Sequence, residues 1–133
     1  MTNVLVVRAN NRPDGISTKM YETFIAEAAT VEGLNVSTFD VFEENLAYFG
    51  QELFNAFGKL QNGEALTAAE QASFDSMNKA RAALDAAEVV VFAFPLWNQT
   101  IPAALQSFID YTYGAGYSFK YNEQGQLVSL MND

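Results

Sequence analysis

The chain has 133 residues, half of them apolar, with a formal net charge of −9 and neither histidine nor cysteine. This length suits one domain with a substantial core, and we predict a single domain over residues 1–133. The acidic balance argues against nucleic acid or an anionic membrane surface as a partner, because phosphates are bound by clustered Lys and Arg. The missing residue types exclude imidazole and thiol catalysis and remove the commonest metal ligands. We therefore predict no metal site and, if the protein is an enzyme, a cofactor that carries the reaction.

The first part of the chain predicts a strand, a polar loop, a helix and a second strand. Val4 to Val7 is an unbroken apolar run, as in a buried strand, and no basic segment precedes it, so we expect no signal peptide and a cytoplasmic location. A polar loop from Arg8 to Ile16 follows, and Ser17 stands where a helix N-cap is expected. Apolar residues at helical spacing predict the buried face of the helix: Met20, Tyr21, Phe24, Ile25 and Ala28. Leu34 to Val41 alternates only in part, which indicates a strand nearer the sheet edge.

The middle of the chain predicts an excursion over the sheet and then a long helix. Glu43 to Gly63 is rich in aromatic residues and has no strong single period, apart from a short helical pattern between Leu53 and Leu60. Thr67 and Glu70 are spaced as a capping box, in which each side chain accepts a hydrogen bond from the backbone N–H of the other residue. This box predicts the start of a helix that runs to about Ala86.

The apolar run from Val89 to Phe94 does not alternate, so burial is expected on both faces, as in a central strand of a parallel sheet covered by helices. Pro95 ends this strand because proline has no N–H to donate. Thr100 is expected to cap a further helix, with Pro102 in its first turn. Tyr117 to Leu130 then predicts a small hairpin or an extended flap. Strands that alternate with helices define the class as α/β, with right-handed crossovers.

The segment from Arg8 to Lys19, which comprises the polar loop and the start of the first helix, is one candidate for a binding site. Three of the seven basic residues of the chain fall there, namely Arg8, Arg12 and Lys19. The free N–H groups and the positive dipole end of a helix N-terminus also attract phosphate. The alternative is an ordinary capped helix without a ligand, because caps are common wherever helices begin.

Trp97 and Asn98 form a second candidate site. They follow the apolar strand at its carboxyl end, where open α/β sheets bind ligands. An indole beside a side-chain amide suits a flat heteroaromatic ligand with hydrogen-bonding edges. The alternative is that Trp97 belongs to the core. The aromatic residues Phe49, Phe54 and Phe57 favour a core or subunit interface over a ligand site.

Three segments carry a resemblance to a known family. They are the first strand with its polar loop ending in Ser17 and Thr18, the sequence FPLWNQTIPAALQSFIDY, and the Gly-x-Gly-x-x-Phe-x-Tyr pattern from Gly114 to Tyr121 with Gly125 after it. In this order they resemble the FMN-dependent NADH-azoreductase and quinone-reductase family. The resemblance implies a flavodoxin-like fold, a three-layer α/β/α sandwich around a parallel sheet, and it covers nearly the whole chain.

The resemblance also implies an activity and a set of binding residues. Such enzymes take hydride from NADH or NADPH onto FMN and pass electrons to a quinone or an azo compound, and they work as homodimers with the active site at the interface. By this resemblance the FMN phosphate would be held by Asn10, Ser17 and Thr18. The ribityl chain and the isoalloxazine ring would lie along Pro95, Leu96, Trp97 and Asn98. No catalytic residue is assigned.

The chain departs from the family pattern in length. The family continues past the position of Asp133 into further strands and a Gly-rich loop, so we expect a fold truncated after the third strand and its helix. Two alternatives to the enzyme follow. One is a truncated flavodoxin-like module that acts as an interaction domain or remnant without competent flavin binding. The other is a receiver domain, which requires paired acids after the first strand, where this chain has Arg8, Ala9 and Asn10.

The strand from Val89 to Phe94 also predicts self-association. In the flavodoxin strand order it would lie between the first strand and a fourth, so we expect its far edge to lack a partner. An apolar edge without Lys or Pro is prone to pair with another chain. We therefore expect the free chain to form dimers or larger assemblies, either through this edge or with the segment from Tyr117 to Leu130 as a covering strand.

Overall fold

The computed structural model describes residues 1–131, so the last two residues of the predicted domain, Asn132 and Asp133, lie outside the described part. The strands are β1 (Thr2–Arg8), β2 (Leu34–Asp40), β3 (Val89–Ala93), β4 (Phe119–Tyr121) and β5 (Leu127–Ser129). The helices are α1 (Ile16–Ala28), α2 (Gln51–Gln61), α3 (Ala68–Asp85) and α4 (Ala103–Thr112). No helix within these residues combines the length and the apolar character needed to cross a bilayer.

β1, β2 and β3 form a parallel sheet in the order β2-β1-β3, and β1 is its central strand. Val6 of β1 pairs with Thr38 of β2 on one side and with Val91 of β3 on the other. The prediction that Val89 to Phe94 is a central strand buried on both faces is wrong for the described residues. β3 lies at the edge of the sheet, and Val89 and Phe92 are each nearly half exposed, at 46% and 45%. An apolar run reports which faces of a strand are hydrophobic, but it does not report how many strands pair with it. The expectation of a free edge on β3 agrees with this arrangement.

Helices lie on both faces of the sheet, as the α/β/α prediction requires. α3 and α4 cover one face, where alternate residues of β1 such as Leu5 and Val7 enter the main core. The other members of this core are Ala9, Phe39, Val41, Leu53, Met77, Ala80, Leu105, Phe108 and Tyr111. α1 lies on the opposite face, beside Val6 and Val91.

The helix starts test three predicted caps. The capping box is confirmed, because Thr67 Oγ1 accepts a hydrogen bond from the Glu70 N–H at 3.2 Å and Glu70 Oε2 accepts one from the Thr67 N–H at 2.8 Å. The predicted cap at Ser17 is wrong, since α1 begins at Ile16 and Gly15 is the N-cap without a side-chain hydrogen bond. The predicted cap at Thr100 is also wrong, because Pro102 holds the N-cap position of α4.

The segment between β2 and α3 crosses the sheet without adding a strand to it, as the sequence predicts. It contains α2 and is anchored through Ala47. The Ala47 N–H donates to Ser76 Oγ at 2.9 Å, and the Ala47 carbonyl accepts a hydrogen bond from the Tyr111 hydroxyl at 2.7 Å.

The C-terminal part forms the predicted small hairpin rather than an extended flap: β4 and β5 pair antiparallel. The Gly125 N–H donates to the Asn122 carbonyl at 2.9 Å and closes the turn between the two strands.

Candidate functional site

The candidate site is a cleft at the carboxyl ends of β1 and β3. Because neighbouring parallel strands end on the same side of a sheet, the loops that follow them meet there. The cleft has a volume of about 480 Å³. Its lining combines the loop and first turn of α1 after β1 with the segment after β3: Asn10, Arg12, Asp14, Gly15, Ile16, Ser17, Met20, Phe94, Pro95, Leu96 and Trp97.

The loop between β1 and α1 is braced by its own side chains. Asn10 is only 3% exposed, and its Nδ2 donates to Ser17 Oγ at 2.6 Å while its Oδ1 accepts from the Arg12 N–H at 2.9 Å. The Thr18 hydroxyl donates to the Arg12 carbonyl at 2.7 Å, and Thr18 is also buried. These bonds hold the backbone N–H and the carbonyl of Arg12, so the loop has one defined conformation.

Gly15 is required by close approach rather than by backbone torsion. Its φ of −69° is accessible to any residue. A Cβ atom built at Gly15 would lie 2.5 Å from Asn10 Nδ2, closer than any real contact permits. The glycine therefore allows the Asn10 amide to lie against the start of α1.

The N-terminus of α1 presents free hydrogen-bond donors to the cleft. The backbone N–H groups of Ile16, Ser17 and Thr18 have no acceptor within residues 1–131. Such donors, together with the helix dipole, favour an anion. Arg12 adds a positive charge, although its guanidinium lies 3.6 Å from the exposed carboxylate of Asp14.

Arg8 does not join this site, contrary to the grouping of three basic residues that the sequence suggested. Its guanidinium lies over the ring of Tyr21, 4.7 Å from the centroid, and its Nε is 3.9 Å from Asp40 Oδ2. Asp40 and Tyr21 therefore direct the Arg8 charge away from the cleft. Lys19 is exposed on α1 and does not line the cleft either.

The segment after β3 ends in a tight turn that holds Trp97 at the cleft. The Thr100 N–H donates to the Trp97 carbonyl at 3.2 Å, and the two residues between them have positive φ, 54° at Asn98 and 68° at Gln99. Positive φ at both central residues is the pattern of a type I′ turn. Trp97 is half-buried, and its ring lies 6.1 Å from that of Phe42.

Most of the predicted cofactor residues lie together. Five of the seven line the cleft: Asn10, Ser17, Pro95, Leu96 and Trp97. Thr18 lies behind the loop as a brace, and Asn98 is exposed in the turn. Sequence reasoning missed the roles of Gly15 and of the Asn98–Gln99 turn. Gly15 was recognisable as a turn residue, but its contact with Asn10 is not encoded in any local pattern.

The comparisons with known proteins identify the class. Residues 2–133 match a family model described as "Flavodoxin-like fold", and the chain belongs to this family. The flavodoxin-like fold prediction is therefore confirmed, and the family match favours it over the receiver-domain alternative.

The chain is similar to particular enzymes within this class. It is 43% identical over its whole length to an FMN-dependent NADH:quinone oxidoreductase of Brevibacillus brevis, and 39% identical over 98% of its length to FMN-dependent NADH:quinone oxidoreductase 1 of Bacillus subtilis. It spans 65% and 64% of these relatives. The resemblance seen in the sequence is thus confirmed, over about two thirds of the relatives' length.

Solved structures agree with this placement. The crystal structure of an azoreductase from Bacillus anthracis superposes with a TM-score of 0.84 at 40% identity, covering 98% of this chain and 64% of that one. An FMN-dependent NADH-azoreductase from Bacillus anthracis in complex with FMN gives a TM-score of 0.82 at 24% identity, over 98% of this chain and 63% of that one. At that identity the second likeness concerns the fold alone.

Proposed function

We propose that the protein is an FMN-dependent oxidoreductase that transfers electrons from NADH to quinones or azo compounds. The observation that carries the proposal is the single cleft that joins free N–H donors at the start of α1 to the half-buried indole of Trp97. FMN has an anionic phosphate at one end and a flat heteroaromatic ring at the other. The similarity to FMN-dependent NADH:quinone oxidoreductases and to an azoreductase supports the same cofactor and reaction.

The phosphate end of FMN fits the loop between β1 and α1. Three unpartnered N–H groups, the dipole of α1 and the Arg12 guanidinium favour an anion there. We propose that Asn10, Ser17 and Thr18 build this phosphate site. Asp14 opposes it with one negative charge, but the Asp14 side chain is 78% exposed, so its effect is screened by solvent.

The ring end fits the segment after β3. Pro95 has no N–H to satisfy, Leu96 is 69% exposed at the mouth of the cleft, and Trp97 offers one face of an indole. We propose that these residues and Asn98 lie along the ribityl chain and the isoalloxazine ring. Bound FMN would supply the redox chemistry, by accepting hydride from the nicotinamide and passing electrons to the acceptor. The protein then binds and orients the reactants, and no residue of the chain is assigned a catalytic role.

We also propose that the protein acts as a homodimer in the cytoplasm. The aromatic segment around α2 supports self-association, because Tyr48 is 82% exposed and Phe54 is 55% exposed. Large exposed aromatic residues in neighbouring positions are typical of protein interfaces. This favours the subunit-interface interpretation of Phe54. Phe49 and Phe57 also pack inward, on Tyr111 and Phe74, with ring centroids 5.6 and 6.4 Å apart.

Turnover of the purified 133-residue chain tests the proposal. With FMN added, NADH oxidation should depend on a quinone or an azo dye, and it should be slower when riboflavin replaces FMN at equal concentration, because riboflavin lacks the phosphate and binds more weakly. The rates measured with NADH and with NADPH show which nucleotide is the electron donor. A chain that folds but oxidises neither nucleotide in the presence of FMN and acceptor would contradict the enzyme and favour the interaction module without competent flavin binding.

A further inference from the structure

We infer that Asn10 is a positioning residue, which holds the Ser17 hydroxyl as a donor to the flavin phosphate and does not contact the phosphate itself. This inference rests on the proposed function and deepens it, since it assigns separate roles to two residues of the same loop. It concerns side chains that the structure places in direct contact, with Asn10 Nδ2 2.6 Å from Ser17 Oγ.

The orientation of the Asn10 amide follows from its backbone partner. The Arg12 N–H can only donate, so the Asn10 atom 2.9 Å from it must be the carbonyl oxygen, Oδ1. The amide nitrogen then faces Ser17, and it can only donate. Asn10 as a whole is 3% exposed, and both polar atoms of its side chain are engaged within the loop, so it has little surface left for a ligand.

This orientation decides what Ser17 can do. Because Ser17 Oγ accepts the hydrogen bond from Asn10, the proton of its own hydroxyl must point elsewhere. Within residues 1–131 that proton has no acceptor, although Ser17 is only 9% exposed. Ser17 lines the cleft beside Ile16, whose backbone N–H is also free within that range. Its hydroxyl is therefore available as a fourth donor, after the three free N–H groups, for an anion in the cleft.

The surrounding loop is shaped to keep Asn10 in this position. Gly15 leaves the space that the amide needs, since a Cβ there would lie 2.5 Å from Asn10 Nδ2. Thr18 holds the Arg12 carbonyl while Asn10 holds the Arg12 N–H. Arg12 is thus held at both its N–H and its carbonyl, and this fixed backbone prevents the Asn10 side chain from rotating towards the ligand.

A double-mutant cycle tests the inference through binding rather than turnover. The dissociation constants of FMN and riboflavin are measured by flavin fluorescence for the wild type, Asn10→Ala, Ser17→Ala and the double variant. Ser17→Ala removes a hydrogen bond to a charged group, so it should weaken FMN binding by roughly 10-fold or more. Asn10→Ala removes only the group that positions this hydroxyl, so it should weaken FMN binding by no more than Ser17→Ala does. The double variant should bind FMN no more weakly than Ser17→Ala alone. Riboflavin, which lacks the phosphate, should bind all four proteins about equally.

Asn10→Asp provides an isosteric variant in case Asn10→Ala does not fold. The introduced carboxylate still accepts a hydrogen bond from the Arg12 N–H. Because a carboxylate cannot donate, its bond to Ser17 is reversed: the Ser17 hydroxyl donates to the carboxylate and no longer to the phosphate. The carboxylate also adds a negative charge beside the phosphate. FMN binding should weaken more than in Asn10→Ala, with riboflavin affinity unchanged. Asn78→Ala, on the exposed face of α3, is the matched control and should change neither dissociation constant.

Several results would overturn the inference. Additive losses at Asn10 and Ser17 would mean that Asn10 contacts FMN independently, and equal weakening of FMN and riboflavin would mean a general structural role. An Asn10→Asp variant that binds FMN as tightly as the wild type would also contradict the inference. In each of these cases the wild type still binds FMN, so the proposed function survives. A folded wild type that binds no FMN would overturn both.

Discussion

At the scale of single residues, Gln99 carries an unfavourable backbone conformation next to the site. Its φ of 68° lies in the left-handed region, which costs a residue with a Cβ roughly 1–2 kcal/mol. Asn98 before it, with φ of 54°, is one of the few residue types that tolerate this region. The turn they form holds the Trp97 carbonyl, so the strain is located where the indole is positioned.

Gln99→Gly is predicted to stabilise the protein. It creates Asn-Gly, the preferred pair for a type I′ turn, and relieves the left-handed strain at the expense of a more flexible unfolded chain. The net gain should be about 0.5–1 kcal/mol in the free energy of unfolding, measured by urea denaturation at a fixed protein concentration. Gln99→Val is the control and should be destabilising, because β-branched residues are the least tolerant of positive φ. Equal stability of the two variants would show that this backbone conformation is absent in solution.

At the scale of elements, Arg81 and Tyr117 fasten the C-terminal hairpin to α3. The Arg81 guanidinium lies over the Tyr117 ring, 4.3 Å from its centroid, and Arg81 Nε donates to the Tyr111 carbonyl at 2.9 Å. The Tyr117 hydroxyl donates to Asp85 Oδ1 at 2.6 Å. Burial raises the pKa of Tyr117 above its ordinary value, and the hydrogen bond to the Asp85 carboxylate adds to the shift.

The raised pKa predicts a loss of stability in alkali. Above about pH 10 the unfolded chain releases the Tyr117 proton while the folded chain still binds it, so the free energy of unfolding falls as the pH rises. Tyr117→Phe should cost about 1 kcal/mol at neutral pH through the lost hydrogen bond, and its stability should fall less steeply in alkali. Urea denaturation at neutral pH and at about pH 10.5 measures both effects. Tyr121→Phe, on the exposed hairpin surface, should follow the wild type; a Tyr117→Phe variant with the wild-type pH dependence would contradict the assignment.

The helix ends show which elements the sequence can predict. Thr67 and Glu70 are partners only three residues apart, so their capping box is visible in the sequence and present in the fold. Ser17 also has a capping side chain, but its Oγ is engaged by Asn10, which arrives from the loop after β1. A helix cap whose two partners lie within one turn can be predicted from the sequence. A hydroxyl that is hydrogen-bonded by a residue outside the helix cannot.

At the scale of the whole molecule, the sequence predicts where the candidate cleft lies better than it predicts which residues line it. Parallel strands place the loops after β1 and β3 at one end of the sheet, and Ser17 and Trp97, which the sequence offers as two separate candidates, line one cleft there. Arg8 was expected there as well, but it pairs with Asp40 across the sheet. Strand order gives the position of a loop, whereas the direction of a long side chain depends on neighbours distant in sequence.

The edge of β3 predicts self-association of the 133-residue chain. Val89 and Phe92 are nearly half exposed, and within residues 1–131 no strand pairs with the outer side of β3, which contains no Lys or Pro. Sedimentation velocity at low micromolar concentration should show dimers or larger species. Val89→Lys should shift the distribution towards monomer, because a charge on an edge strand discourages pairing.

Val31→Lys is the control for the edge. Val31 is 52% exposed but lies in the loop between α1 and β2, and β2 is at the opposite edge of the sheet from β3, so this change should leave the distribution as in the wild type. A monodisperse wild-type monomer, with rapid amide exchange over Val89 to Ala93, would show that the edge does not recruit a second chain.

Titration with FMN while following tryptophan emission tests the central claim most directly. Trp97 is the only tryptophan of the chain, so its fluorescence reports on the ring end of the cleft. We predict saturable quenching by FMN that is weakened by Ser17→Ala and by added salt, because the phosphate is held at the N-terminus of α1. Quenching without saturation, or an FMN affinity indifferent to both Ser17→Ala and salt, would contradict the account.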